Sequence, residues 1–318
     1  MAKIIQMRSP GDPSVLEIVQ AEIGAPGPGQ VRLVQDAIGI NAVDGLVRKG
    51  LYPMALPAVP GFEAAGVVDA VGQGVTAFAP GDRAAYFFAQ GAYATVALVP
   101  ASALVPLPDD VDVTTAATIL AKGLTAWMGL RALYDLNAGD TALVLGASGG
   151  VGSLLSRWAK ALGGAVIGVA GSLDKLDKVQ AGATHALLAS DPQAAARIHE
   201  IAPAGVDVVY DLIGQATFNL AADVVRDGGV IATIGAASGQ PKPSTQALAR
   251  RGVQIRGGGT PQHVRGPTVA VATGELWAAH RAGLFDDLET ARYPFDAIAR
   301  AHADMDARRM IGLPVLIP

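Results

Sequence analysis

Apolar and polar positions change their period along the 318 residues of this chain. From Lys3 to about Pro106, short β-type runs alternate with glycine and proline. Val15-Leu16-Glu17-Ile18-Val19, Gln30-Val31-Arg32-Leu33-Val34-Gln35 and Gly66-Val67-Val68-Asp69-Ala70-Val71-Gly72 are examples, and together they predict a coiled sheet or barrel. From about Thr114, helical segments alternate with strands predicted at residues 141–145, 165–169, 186–188, 206–211, 230–235 and 253–257. Six strands with intervening helices are the pattern of a doubly wound parallel sheet. After Gly258 come one more amphipathic segment, residues 276–284, and an apolar end, residues 313–318. A solvated tail has little reason to be apolar, so the end is expected to be a strand returning to the first domain. The expected fold is α/β, with one β-barrel domain (residues 1–118 and 261–318) and one doubly wound domain (residues 119–260).

The junction after the first of the six strands carries candidate chemistry. Leu145-Gly146-Ala147-Ser148-Gly149-Gly150-Val151-Gly152 joins an apolar run to a segment in which Val151, Leu154, Leu155, Trp158 and Leu162 recur at helical spacing. Gly163-Gly164 then ends the helix before the second strand. The spacing reads as G-x-G-x-x-G with Ala147 in the first position, followed by Gly149 and Gly152. Gly149 would let backbone N–H groups approach a pyrophosphate, Gly152 would let helix and strand pack closely, and the helix dipole would face the anion. Ala147, Ser148, Gly149, Gly150, Val151 and Gly152 are therefore candidate dinucleotide contacts.

Composition narrows the remaining classes. Hydrophobic residues make up 51% and charged residues 16%, which places the chain among globular proteins and far from disorder. No apolar run is long enough to span a bilayer and the start lacks the apolar stretch of a signal peptide, so no membrane association and a cytoplasmic location are expected. A net charge of −4 argues against nucleic acid as a partner, and Arg250, Arg251 and Arg256 read as a solvated strand flank. The absence of cysteine removes disulfides, thiol redox chemistry and thiolate metal sites. The five histidines show no ligand spacing.

Segments from end to end resemble a known family: Gly39-Ile40-Asn41-Ala42-Val43-Asp44, Gly50-Leu51-Tyr52-Pro53, Pro60-Gly61-Phe62-Glu63-Ala64-Ala65-Gly66, Gly81-Asp82-Arg83, Lys122-Gly123-Leu124-Thr125-Ala126, the glycine loop, Tyr210-Asp211-Leu212-Ile213-Gly214 and Leu316-Ile317-Pro318. The chain resembles zinc-independent medium-chain dehydrogenase/reductases, close to the NADPH:quinone oxidoreductases that include the zeta-crystallins. That resemblance implies a co-chaperonin-like β domain, a Rossmann domain, a C-terminal return to the first domain and an active cleft between the two. It also places the metal ligands of the alcohol-dehydrogenase branch at Asn41, Phe62 and Ala121, none of which completes a zinc set, so no metal is expected.

Without a metal to stabilise an alkoxide, reduction of a conjugated acceptor is expected. A quinone or α,β-unsaturated carbonyl delocalises the incoming charge onto oxygen, so positioning and a few hydrogen-bond donors suffice. Asn41, Asp44 and Tyr52 are the candidate catalytic residues. Tyr52 either donates a proton to the enolate or quinol oxygen or packs beside Pro53; Asn41 would position ring or substrate; Asp44 either acts on substrate or holds backbone geometry. Glu63 reads as an anchor held through buried hydrogen bonds.

Thr125, expected at the start of a helix, resembles the family's threonine at the nicotinamide amide or phosphates, the alternative being a helix-entry hydroxyl. Lys122 is either solvated or part of a positive field. Gly171, Ser172 and Lys175 stand where NAD enzymes place an acidic residue, and Ser172 with Lys175 could receive a 2′-phosphate, which favours NADPH although Asp174 and Asp177 flank the lysine. Gly214, Ile234, Gly235 and Ala236 fall at strand carboxyl ends, and Arg308 matches a family arginine near the cofactor. The expected activity is NADPH-dependent reduction of a quinone or enone. The alternatives are a 2-alkenal or enoyl reductase and a non-catalytic dinucleotide-binding sensor, structural or RNA-binding protein. An exposed edge at the sixth strand predicts a homodimer.

Overall fold

Alternation builds the first sheet. In the strand Gln30–Gly39, Val31 and Leu33 point inward while Arg32 and Val34 remain accessible, which is the two-residue period of a half-buried strand. The computed structural model describes every residue except Lys242, Pro243 and Ser244, and it divides the chain into two units, Met1–Ala121 with Leu288–Pro318, and Lys122–Asp287. In the first unit β1 (Ala2–Gln6) and β2 (Glu17–Ala21) form a hairpin-like antiparallel pair. β3 (Gln30–Gly39), β4 (Glu63–Val71), β5 (Arg83–Phe87), β6 (Val96–Pro100) and β7 (Leu104–Pro106) join β14 (Thr290–Pro294) and β15 (Leu313–Ile317) in a seven-stranded sheet. Its order is β14-β15-β3-β4-β5-β7, with β6 on β3. The apolar C-terminus is thus a strand of the first unit, as its composition predicts.

The second unit carries β8 (Thr141–Leu145), β9 (Ala165–Ala170), β10 (His185–Leu188), β11 (Val206–Asp211), β12 (Val225–Thr233) and β13 (Gln254–Gly257). All pairings are parallel, in the order β10-β9-β8-β11-β12-β13. That is the doubly wound order, and it sets the topological switch point between β8 and β11, at the carboxyl ends of the strands. Leu143, Leu145, Ile167, Val209 and Ile231 are fully buried, as central parallel strands covered on both faces require.

Several expectations are corrected. Residues 15–16 are not strand: Asp12 accepts from the Ser14 N–H at 2.8 Å and, with Pro13 at the first position, caps a single 3₁₀ turn, so β2 begins only at Glu17. The second unit extends to Asp287, beyond the expected boundary at residue 260, because the helix Pro267–Arg281 lays Leu276 where a side chain on Gly123 would otherwise sit. Thr125 is not at a helix entry. It lies near the end of α2 (Val113–Trp127), which continues as a π-helical turn over Met128–Leu133. Nor are the arginines only solvated: Arg256 donates to the Leu133 carbonyl at 2.8 Å and Arg251 to the Ala222 carbonyl at 2.8 Å, satisfying carbonyls that the helix ends leave open.

Candidate active site

In the second unit the strand ends bring most of the nucleotide candidates together. β8 ends at Leu145, and Gly146 adopts the left-handed conformation (φ 86°) that lets the chain turn into α3 (Gly150–Ala161). A methyl on Gly152 would collide with the Gly146 carbonyl oxygen and lie 2.9 Å from the Ala147 Cα, so the absent side chain is what permits helix and strand to approach. Ala147 is buried, and its methyl would stand 3.1 Å from a Cβ on Gly168 of β9, so the small residue in the first motif position is matched by a glycine opposite. Gly149 is different. It is exposed, and its nearest obstacle to a methyl is the Gly146 oxygen at 3.3 Å. The loop is therefore closed below and open above, where the first N–H groups of a twelve-residue helix emerge.

Beside it, Asp211 closes β11. Its Oδ1 accepts from the Ile213 and Gly214 N–H groups, both at 2.9 Å, and from the Thr217 hydroxyl at 2.8 Å, which sets the turn containing Gly214 (φ 99°). A Cβ on Gly214 would lie 3.3 Å from Ala236, and one on Gly235 would strike Leu212 backbone. The loops after β8, β11 and β12 thus meet, with Ile213 against Gly146 and with Gly214, Ile234, Gly235 and Ala236 along one rim. Thr125 hydrogen-bonds Thr260, a buried hydroxyl that sequence reasoning passed over, at 2.9 Å between oxygens. Lys122 is buried, which removes the solvated side chain from its two alternatives.

At the end of β9, Gly171 is exposed and no atom lies within 4 Å of where its Cβ would stand. Ser172 caps a short 3₁₀ turn, Leu173–Lys175. The Ser172 hydroxyl holds the Asp174 carboxyl below the usual carboxylate range, so an acid shares the segment with Lys175.

In the first unit Asn41 stands just before α1 (Ala42–Arg48). Its backbone N–H donates to Asp44 Oδ2 at 2.7 Å, and its side-chain Nδ2 donates to Glu63 Oε2 at 2.9 Å. The other Glu63 oxygen accepts from the Ala121 N–H at 2.6 Å. Both carboxylates are fully buried. Asp44 accepts in addition from the Tyr93 hydroxyl at 2.9 Å, so it holds the first turn of the helix. Tyr52 is 55% exposed on the loop that follows α1. Arg308 belongs to this unit. It is exposed and takes the left-handed position (φ 55°) that ends the helix Ile298–Asp306, its N–H bonding the Met305 carbonyl at 3.1 Å. Tyr93 and His302 escaped sequence reasoning because their partners lie far away along the chain.

Comparison with known proteins agrees with this architecture. The alcohol dehydrogenase GroES-like domain matches residues 27–109 and the zinc-binding dehydrogenase domain matches residues 150–267. Quinone oxidoreductase of Pseudomonas aeruginosa is 38% identical over all of both chains. A 2-haloacrylate reductase of Burkholderia is 35% identical over 100% of this chain and 99% of that one. Among solved structures, Escherichia coli quinone oxidoreductase complexed with NADPH is 31% identical, with a TM-score of 0.95 over 99% of this chain and 100% of that one.

A GroES-like domain joined to a Rossmann domain defines the medium-chain dehydrogenase/reductase class. Within it, this chain belongs to the quinone oxidoreductase family. It is an oxidoreductase that uses a nicotinamide dinucleotide, and the non-catalytic alternative gives way to that finding. Among the described residues no helix is long and apolar enough to cross a membrane.

Proposed function

We propose that the chain passes hydride from NADPH to a quinone or another conjugated carbonyl without a bound metal. The observation that carries this reading is the donor set around Asn41. Phe62 and Ala121 offer no coordinating atom, and the Asn41 amide and both Glu63 oxygens are joined in hydrogen bonds to one another and to Ala121. An acceptor that disperses its own negative charge suits such a site.

The loop open above Gly149 would take a pyrophosphate and the open segment after β9 the adenosine ribose, and Ser172 and Lys175 would then meet a 2′-phosphate. Thr125, Gly214, Ile234, Gly235 and Ala236 would line the nicotinamide side, and Arg308 would add positive charge. When bound, the reduced nicotinamide supplies the hydride. The chain's own residues orient and protonate. Asn41, with its amide nitrogen donating to Glu63 and its side chain in a capping box with Asp44, would offer the remaining lone pair of Oδ1 to position ring or substrate. The exposed Tyr52 hydroxyl donates a proton to the acceptor oxygen. Asp44 holds the turn from which Asn41 projects.

A reductase of activated alkenes is the second reading, favoured by the 2-haloacrylate reductase relative. An NADPH-consumption screen over quinones, enones, alkenals and haloacrylates, run beside NADH, decides between them. Turnover of quinones supports the first reading, turnover confined to alkenes supports the second, and no turnover with any acceptor overturns both. Lys175→Ala is expected to raise the NADPH dissociation constant by about tenfold while leaving that of NADH within about twofold, measured by calorimetric titration.

β13 lies at the edge of its sheet with all four residues exposed. Pairing with the same edge of a second copy would protect it, and the chain is expected to be a homodimer and cytoplasmic. Light scattering at twice the chain mass is the expected result; a monomer contradicts it.

A further inference from the structure

The hydrogen bonds behind Asn41 converge on the Asp44 carboxylate, which accepts from the Asn41 backbone N–H and from the Tyr93 hydroxyl. An ionised carboxylate only accepts, so the single proton of the Tyr93 hydroxyl is committed to Asp44 Oδ2 at 2.9 Å. Tyr93 Oη lies 3.0 Å from His302 Nε2 and, having spent its proton, must accept there. His302 therefore carries its hydrogen on Nε2, and its Nδ1 is left bare. That nitrogen is buried and has no hydrogen-bond partner. Tyr93 and His302 are both wholly buried, and the imidazole ring stands edge-on to the phenol at 5.8 Å between centroids.

Burial, reinforced by the charge of Arg48, keeps the imidazole neutral and its pKa down at about 3, which agrees with that tautomer. A histidine with one orphaned nitrogen is a poor choice for packing alone, since an apolar side chain would leave nothing unsatisfied. What it supplies is a donor at a fixed place, three links from the backbone N–H of Asn41.

We infer that Tyr93 and His302 are positioning residues: His302 Nε2–H donates to Tyr93 Oη, Tyr93 Oη–H donates to Asp44 Oδ2, and Asp44 Oδ2 accepts the Asn41 backbone N–H, which fixes the backbone that carries the candidate catalytic amide. This rests on the reading of Asn41 given under Proposed function. Asn41 is gripped from two sides, by Asp44 at its backbone and by Glu63 at its side chain, and only the Asp44 grip depends on Tyr93. Removing the phenol hydroxyl takes away one of the hydrogen bonds that orient Asp44, and the first turn of α1 is expected to shift. An error of about 1 Å at a substrate-positioning group costs up to about a hundredfold in rate.

The test uses Tyr93→Phe, His302→Leu and His302→Gln, the last keeping an amide N–H for Tyr93. In Tyr93→Phe and His302→Leu, kcat with a quinone is expected to fall by about tenfold or more, while NADPH affinity stays within about twofold. His302→Gln is expected to restore most of the loss, and the Tyr93→Phe/His302→Leu pair to be no worse than Tyr93→Phe alone, because both act through one link. Nitrogen-15 spectra of the wild-type protein read the chain without turnover. They should show His302 protonated on Nε2 and bare on Nδ1, and the Asn41 side-chain amide signal should move in Tyr93→Phe.

An Asn41 signal unmoved by Tyr93→Phe, or an Nδ1-protonated His302, overturns the inference whatever the kinetics. Undiminished kcat in Tyr93→Phe overturns it as well. A wild-type protein that reduces no acceptor instead overturns the proposed function, and the Asn41 signal still reports whether the chain holds the amide.

Discussion

Gly152→Ala should abolish useful nucleotide binding and lower stability together. The added methyl meets the Gly146 carbonyl oxygen and the Ala147 Cα, both backbone, so no rotamer change relieves the collision and α3 must retreat from β8. Overpacking of this kind costs about 1–3 kcal/mol. The same retreat carries the helix N–H groups away from the pyrophosphate, and the dissociation constant for NADPH should rise by about a hundredfold, near 3 kcal/mol. Gly149→Ala is the control. Its methyl meets only the Gly146 oxygen at 3.3 Å and stands on the open face, so the melting temperature should hold while affinity falls. Calorimetric titration and thermal melts of both variants separate the two roles. Equal losses of stability in both would show that the two glycines do not divide the work in this way.

Acid should destabilise the protein through His302. Its folded pKa is depressed from 6.5 to about 3 by burial and by Arg48, so the unfolded chain binds a proton that the folded chain refuses. The stabilising contribution is complete above about pH 6.5 and is lost as the pH falls toward 3. A shift of this size corresponds to a loss on the order of 4–5 kcal/mol over the whole window, and about 2 kcal/mol of it by pH 5. Carboxylates act in the same direction: Arg157 holds Asp287 below the usual range, and its charge is lost in acid. His302→Gln isolates the histidine, since it removes the titration and keeps a donor for Tyr93. Denaturation midpoints between pH 8 and pH 5 should fall more steeply for the wild type than for this variant, and parallel curves would contradict the assignment.

Much of the second unit is legible in the sequence because its central strands are buried on both faces. That burial writes an unbroken apolar run at residues 141–145, and residues 206–211 coincide with β11. The glycine loop is legible for a related reason: collisions forbid side chains there, and absence of a side chain is visible in a sequence. Gly146 is the less legible part, since the motif register begins at Ala147 while the left-handed turn falls one residue earlier.

Features made by distant partners left no local mark. Tyr93 and His302 are 209 residues apart, and nothing near either residue announces the other. The position of Thr125 within α2 is not legible because the helix runs into a π turn without a capping residue at the break. The point of return to the first unit is not legible because nothing in residues 261–287 assigns them to one unit by sequence alone. Only packing, with Leu276 against Gly123, assigns them to the second. At residues 12–16 the apolar pair Val15-Leu16 reads as strand, and the turn set by Asp12 and Pro13 overrides it.

Metal-free hydride transfer is the claim on which the mechanism turns, and NADPH oxidation by a quinone after exhaustive chelation tests it most directly. Undiminished turnover in protein shown by elemental analysis to hold no zinc is the predicted result. Activity that vanishes on chelation and returns with added zinc would contradict it.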